Sequence, residues 1–197
     1  MTTTLLQLAI NAIDFENSKD PNQEIINSVS YPKELLYSQR LLSRLISFAS
    51  APSDELIIAT RAHHICRWKT PRDSYPMDRI GYLKWREELK KSHAKTTAII
   101  LEKLGYKEAF IERVSFLIQK KSIKNDAETQ VLEDIICLDF LTYYLEPFVE
   151  KHLFDKEKLT NIIVKTWNKM SEKGHQEALK IPFSSSTFQL IKEALAL

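Results

Sequence analysis

Residues 63–86 read HHICRWKTPRDSYPMDRIGYLKWR, a stretch that interleaves arginines with large aromatics behind a histidine pair. Five of the chain's eight arginines fall between Arg61 and Arg86, and two of its three tryptophans lie in the stretch. A guanidinium offers a planar fork that matches phosphate and carboxylate, and its face stacks on rings. On a helix, Arg79, Tyr82, Trp85, Arg86, Leu89 and His93 share one face. The opposite edge, Lys84, Glu87, Glu88 and Lys91, is charged throughout. The mixed face is therefore expected to point inward, toward a partly polar cavity.

Two further segments join it. If the helix of ELIIATRAHHICRW runs through to Trp68, Arg61, His64, Arg67 and Trp68 share a face, and His63 lies about 100° away. That geometry selects His64 as the inward histidine. In TQVLEDIICLDF, Gln130, Glu133, Asp134 and Cys137 share a face, while Leu132, Ile135, Ile136 and Leu138 make the rest apolar. A helix apolar on most sides is buried, and buried carboxylates need partners. Three readings stay open. Glu133 and Asp134 pair with Arg67, Arg72, Arg79 or Arg86 in a structural ion-pair network. Alternatively His64, His93 and Asp134, with Glu133 beside them, gather a divalent metal ion, a donor mix that suits a transition metal. Or the arginines, with Lys120 and Lys121, clamp a phosphorylated or otherwise anionic ligand while tryptophan and tyrosine stack on its planar part. The last two are compatible. The ligand-binding set is then Arg67, Trp68, Arg72, Tyr75, Arg79, Tyr82, Trp85, Arg86 and Gln130, with Glu133 and Asp134 as catalytic acid or base.

The elements that must position these residues follow from the helical period. Helices are expected over 3–14, 33–50, 55–68, 79 to about 104, 107–121, from about 127 to Pro147, 155–171 and after SSST at 184–187. Pro71 and Pro76 make 69–77 irregular, so it forms the rim of the site. Asp78 caps the long helix and Gly105 ends it. No alternation of strand length stands out. The sequence predicts an all-α protein of about eight helices in a single domain over 1–197, with the helices from about 155 packing on a 33–150 core. Only three glycines in 197 residues argue against a glycine-rich phosphate loop. A net charge of +2 gives no global field for nucleic acid. Cys66 and Cys137 lack paired spacing, which fits buried, reduced thiols. The N-terminus lacks the basic start of a signal peptide, and no apolar run reaches the ~20 residues of a membrane span. A cytoplasmic location without membrane contact is expected.

ELLYSQR, R-A-x-H-I-x-R-W, P-R-x-x-Y-P-x-x-R-x-G-Y-L-x-W-R, the later H-A and L-E-D-x-x-C-L-x-F-L resemble the family known as domain of unknown function 4202, over nearly the whole chain. A weaker resemblance is to HD-superfamily metal phosphohydrolases: ATRAHHI, SHAKTTAIILEKLGY and VLEDIICLDFL are similar to three of their helices. The pattern departs at His63-His64, where a His-Asp pair is usual, and at Ile136, where an aspartate is usual. Near Tyr37 no first histidine appears. This resemblance implies an HD-like helical array and a metal-dependent hydrolase. An anion- or RNA-binding module is the alternative to an enzyme, nucleic acid being the less favoured partner.

Overall fold

The computed structural model describes residues 3–196. The chain divides into two compact units, residues 1–121 and 122–197.

In the first unit, α1 (Leu5–Asn17) is capped by the Thr4 hydroxyl, which accepts from the amide of Gln7 at 3.2 Å. An antiparallel hairpin follows, β1 (Gln23–Ile26) with β2 (Val29–Pro32). No strand was expected from the period. Its two-residue turn, Asn27 and Ser28 with φ of 50° and 66°, has the paired positive φ of a type I′ turn. Four-residue strands are too short for alternation to register. Asp20 fastens the hairpin: its carboxylate is buried and accepts from the amides of Asn22 (2.9 Å) and Glu34 (3.0 Å). Then come α2 (Lys33–Phe48), α3 (Asp54–Arg61), 3-10 turns at Arg67–Lys69 and Arg72–Ser74, α4 (Arg79–Lys103) and α5 (Glu108–Ile118). Asp78 does cap α4, accepting from the Gly81 amide at 2.7 Å, and Gly105 (φ +83°) follows its end. Ile13, Leu41, Leu45, Ile58, Ile65, Leu101, Leu117 and Ile118 are fully buried. Each such side chain stabilises the fold by about 2 kcal/mol relative to exposure.

The helix expected to reach Trp68 stops at Arg61. Buried Asn17 captures the Cys66 amide (3.2 Å), and Cys66 turns into the left-handed region at φ 56°. A side-chain acceptor here replaces the helical carbonyl. The face shared by Arg61, His64, Arg67 and Trp68 therefore does not exist. Arg61 instead makes a fork-to-fork pair with Asp14, both contacts 2.6 Å.

The second unit holds α6 (Ala127–Asp139), a π-helical turn (Phe140–Tyr144), α7 (Leu145–Lys151), α8 (Lys156–Trp167), α9 (Glu172–Ala178) and α10 (Ser185–Leu195). Pro147 lies in the first turn of α7, where a missing N–H is tolerated. Ser184 caps α10, accepting from Thr187 at 3.3 Å. Leu132, Ile135, Leu138 and Leu145 are fully buried. The described residues thus form ten α-helices rather than about eight, the π-turn and short α9 accounting for the excess. The molecule is mostly helical, and among the described residues no helix is long and apolar enough to cross a membrane. Cys66 and Cys137 are free and buried.

Candidate functional site

Three histidines, a glutamate, an arginine and a tyrosine gather in the first unit. The ring of His64 stacks on Tyr37 (centroids 4.4 Å) and on His63 (4.5 Å), and His93 lies 5.9 Å away. Glu34 reaches His64, Oε2 to Nδ1 3.3 Å, and the Arg67 guanidinium lies 3.0 Å from each His64 ring nitrogen. The adjacent histidines face the same cluster. His63 is the more buried of them, reversing the expectation, because residues 62–66 are a turn and the 100° helical rotation does not apply.

Burial sets the electrostatics. It pushes Glu34 up to about 7, with Arg67 opposing. It holds His63 and His64 well below the usual imidazole range, Arg67 adding to the effect at His64. His93 falls to about 4, burial outweighing its bond to the Ile65 carbonyl. The Glu34–His64 contact is therefore not a full ion pair near neutrality: a neutral imidazole faces a carboxyl close to half-protonated. His93 donates from Nδ1 to the Ile65 oxygen at 2.7 Å, which leaves the lone pair on Nε2. That atom and His63 Nδ1 are buried without hydrogen-bond partners.

Beside this cluster runs an alternating ladder. The Arg67 guanidinium sits 5.1 Å from the centre of the Trp85 ring. Arg72 lies 5.9 Å from Trp85 and 5.8 Å from Tyr82, and Arg86 lies 5.8 Å from Tyr82. Arg72 also donates to the carbonyls of Tyr75 (3.0 Å), Pro76 (2.7 Å) and Asp78 (3.2 Å), which folds loop 69–77 against α4. Gly81 permits that approach, since a Cβ there would meet the Pro76 oxygen. The Trp85 indole N–H donates to the Thr70 carbonyl at 2.8 Å. Trp85, Leu89 and His93 are buried as expected, whereas Arg79 and Tyr82 are exposed and Arg86 is half-buried. The stripe turns inward only from its second turn, because its first turn lies at the protein surface under loop 69–77. Trp68 and Tyr75 are half-buried on and after the two 3-10 turns. Arg40 and Arg61 have carboxylate partners, but among the described residues Arg67, Arg72, Arg79 and Arg86 have none within salt-bridge distance.

In the second unit, the Asp134 carboxylate accepts from Gln130 (3.0 Å), the Ser171 amide (2.7 Å) and the Ser171 hydroxyl (2.5 Å). Ser171 caps α9, and a Cβ on Gly174 would approach Asp134 to 2.8 Å. Gln130 also donates to the Lys169 carbonyl, and Glu133 lies 3.6 Å from the Lys169 amine. These groups hold α6 to the segment that opens α9. Of the expected metal set, His64 and His93 lie in the first unit and Asp134 in the second. Both Asp134 oxygens are committed to Ser171, and among the described residues no three His, Cys, Asp or Glu side chains are grouped to hold one.

The sequence alone did not place Glu34 and Tyr37 at the site, and it turned His63 outward. A signal existed: Glu34, Leu41, Leu45 and Phe48 lie on the buried stripe of α2, and a carboxylate on an apolar stripe is anomalous. An open hollow of about 710 Å³ lies elsewhere on the first unit, between α4 and α5, but Glu102, Glu108 and Glu112 line it and would repel an anion.

A model of the family described as domain of unknown function (DUF4202) matches residues 7–191. The chain belongs to the DUF4202 family. No curated protein and no solved structure matches it significantly. The match takes in every residue of the cluster and the ladder.

Proposed function

We propose that this DUF4202 protein binds a small phosphorylated or otherwise anionic ligand at the Arg67–Arg86 ladder, and acts on it by acid–base hydrolysis. The observation that carries the reading is the run of guanidiniums held on aromatic faces with no carboxylate at salt-bridge distance, half-ionised Glu34 acting on Arg67 only from farther off. A protein that fixes such charges in place and leaves them unpaired favours an incoming anion. Glu34 and His64 supply the chemistry. A carboxyl titrating near 7 and a neutral imidazole in contact suit proton transfer at physiological pH. His64 would take the proton of a water attacking the phosphorus, protonated Glu34 would give its proton to the departing oxygen as the phosphorus–oxygen bond breaks, the proton on His64 would then pass to Glu34, and Arg67 would oppose the charge that develops on the ligand. This retains the hydrolase chemistry of the HD resemblance and routes no step through a metal. Glu133 and Asp134 serve the second unit's own structure in this reading.

The test is turnover of p-nitrophenyl phosphate by the full chain, beside Glu34→Gln, His64→Ala and Arg67→Gln, with binding of inorganic phosphate measured by calorimetry. Arg67→Gln is expected to weaken phosphate binding, and Glu34→Gln to lower turnover by about a hundredfold with binding retained. Turnover unaffected by either Glu34→Gln or His64→Ala removes the catalytic part. Phosphate binding unaffected by Arg67→Gln removes the anion site.

A further inference from the structure

Resting on the anion reading, we infer that the ladder selects a polyanion carrying two or more phosphoryl groups, recognised by charge, with no place for a nucleobase. Aromatic rings beside arginines suggest base stacking, but here their π surfaces are already engaged. Trp85 is 7% exposed, has two guanidiniums within 6 Å of its ring centre and has committed its N–H to Thr70. Tyr82 is open to solvent but carries Arg72 and Arg86, each 5.8 Å from its centre. The rings hold the guanidiniums in place; they are not a platform for the ligand.

The charge arithmetic sets the class. One phosphate monoester brings about −1.5 to −2 at neutral pH. The ladder holds three guanidiniums, Arg67, Arg72 and Arg86, and the neighbouring imidazoles are neutral. With Glu34 close to half-ionised near Arg67, a single phosphoryl group still leaves that run short of neutral, and two linked groups reach neutrality. Arg72 has spent most of its donors on three carbonyls, so it contributes charge and rigidity. Arg67 and Arg86 keep donors for the ligand, Arg67 at the Glu34–His64 end and Arg86 at the outer end.

The experiment is calorimetric titration of the full chain, without divalent cations, with inorganic phosphate, tripolyphosphate, ATP and a short oligouridylate. It is repeated on Arg67→Gln and on Arg86→Gln, the latter at a half-exposed position that threatens folding least. Tripolyphosphate is expected to bind at least about tenfold tighter than phosphate, ATP to match tripolyphosphate within a few-fold, and both variants to lose about tenfold toward tripolyphosphate. ATP binding far tighter than tripolyphosphate reveals a base site and overturns the inference. Equal affinity for phosphate and tripolyphosphate overturns it in favour of a single-anion site. Oligouridylate binding tightest overturns it in favour of nucleic acid. The first two outcomes leave the anion reading standing; the third replaces its small ligand by a nucleic acid. Binding of none of the four, or binding indifferent to both substitutions, overturns the inference together with that reading.

Discussion

Glu34 and His93 pull the pH dependence of stability in opposite directions, and the signs follow from their shifts. His93 titrates near 4 in the folded chain against an ordinary 6.5, and His63 and His64 are depressed likewise. The unfolded chain takes up protons first, so stability falls as pH drops below about 6.5. Glu34 titrates near 7 against an ordinary 4.5, so the folded chain keeps its proton longer, and stability falls as pH rises from about 4.5 to about 7. Glu34→Gln removes only the second slope. Urea denaturation across that window should show the variant gaining stability with pH relative to the wild type, by on the order of 3 kcal/mol at its top. Parallel curves would mean that Glu34 is not held protonated by burial. The arginine–aromatic interleaving was legible residue by residue because it lies within one contiguous stretch. Glu34 and Tyr37 were not, since they sit in a helix some thirty residues earlier and meet His64 only through the tertiary fold.

At the scale of elements, one glycine, one carboxylate cap and one ion pair fix how helices meet within each unit. Gly81→Ala drives a methyl group into the Pro76 carbonyl, so loop 69–77 must lift from α4. The expected result is a loss of about 1–3 kcal/mol, with faster amide exchange confined to that loop and to the first turn of α4. Unchanged exchange in the loop would contradict the close approach. Asp134→Asn replaces an oxygen that accepts from Ser171 by an amide. It should release α9 locally, seen as exchange at residues 171–178 ahead of α6. Arg61→Ala strands Asp14 and separates α1 from α3; a cost of about 3–5 kcal/mol in denaturant is expected for a pair this buried on the arginine side. Element limits set by capping, such as Asp78 before α4 and Ser184 before α10, could be read from the sequence. The stop at Arg61 could not, because Asn17, far upstream, supplies the competing acceptor.

Across the molecule, each unit carries its own set of fully buried aliphatic side chains. Leu45→Ala in the first and Leu138→Ala in the second should each cost about 2–5 kcal/mol by urea denaturation. A negligible cost at either position would mean that its unit tolerates a cavity there. The helical class was legible because a 3.6-residue period repeats over long segments. The hairpin, the π-turn and α9 were not, being too short for any period to show. The ladder also has an optical consequence. Trp85 is sandwiched in sequence and in space among cations, while Trp68 is half-buried on the adjoining turn and Trp167 stacks flat on His175 in the other unit. Indole emission responds to a nearby positive charge. A ligand that draws Arg67 away from the Trp85 ring therefore announces its arrival as a change in the protein's own fluorescence, with no label attached.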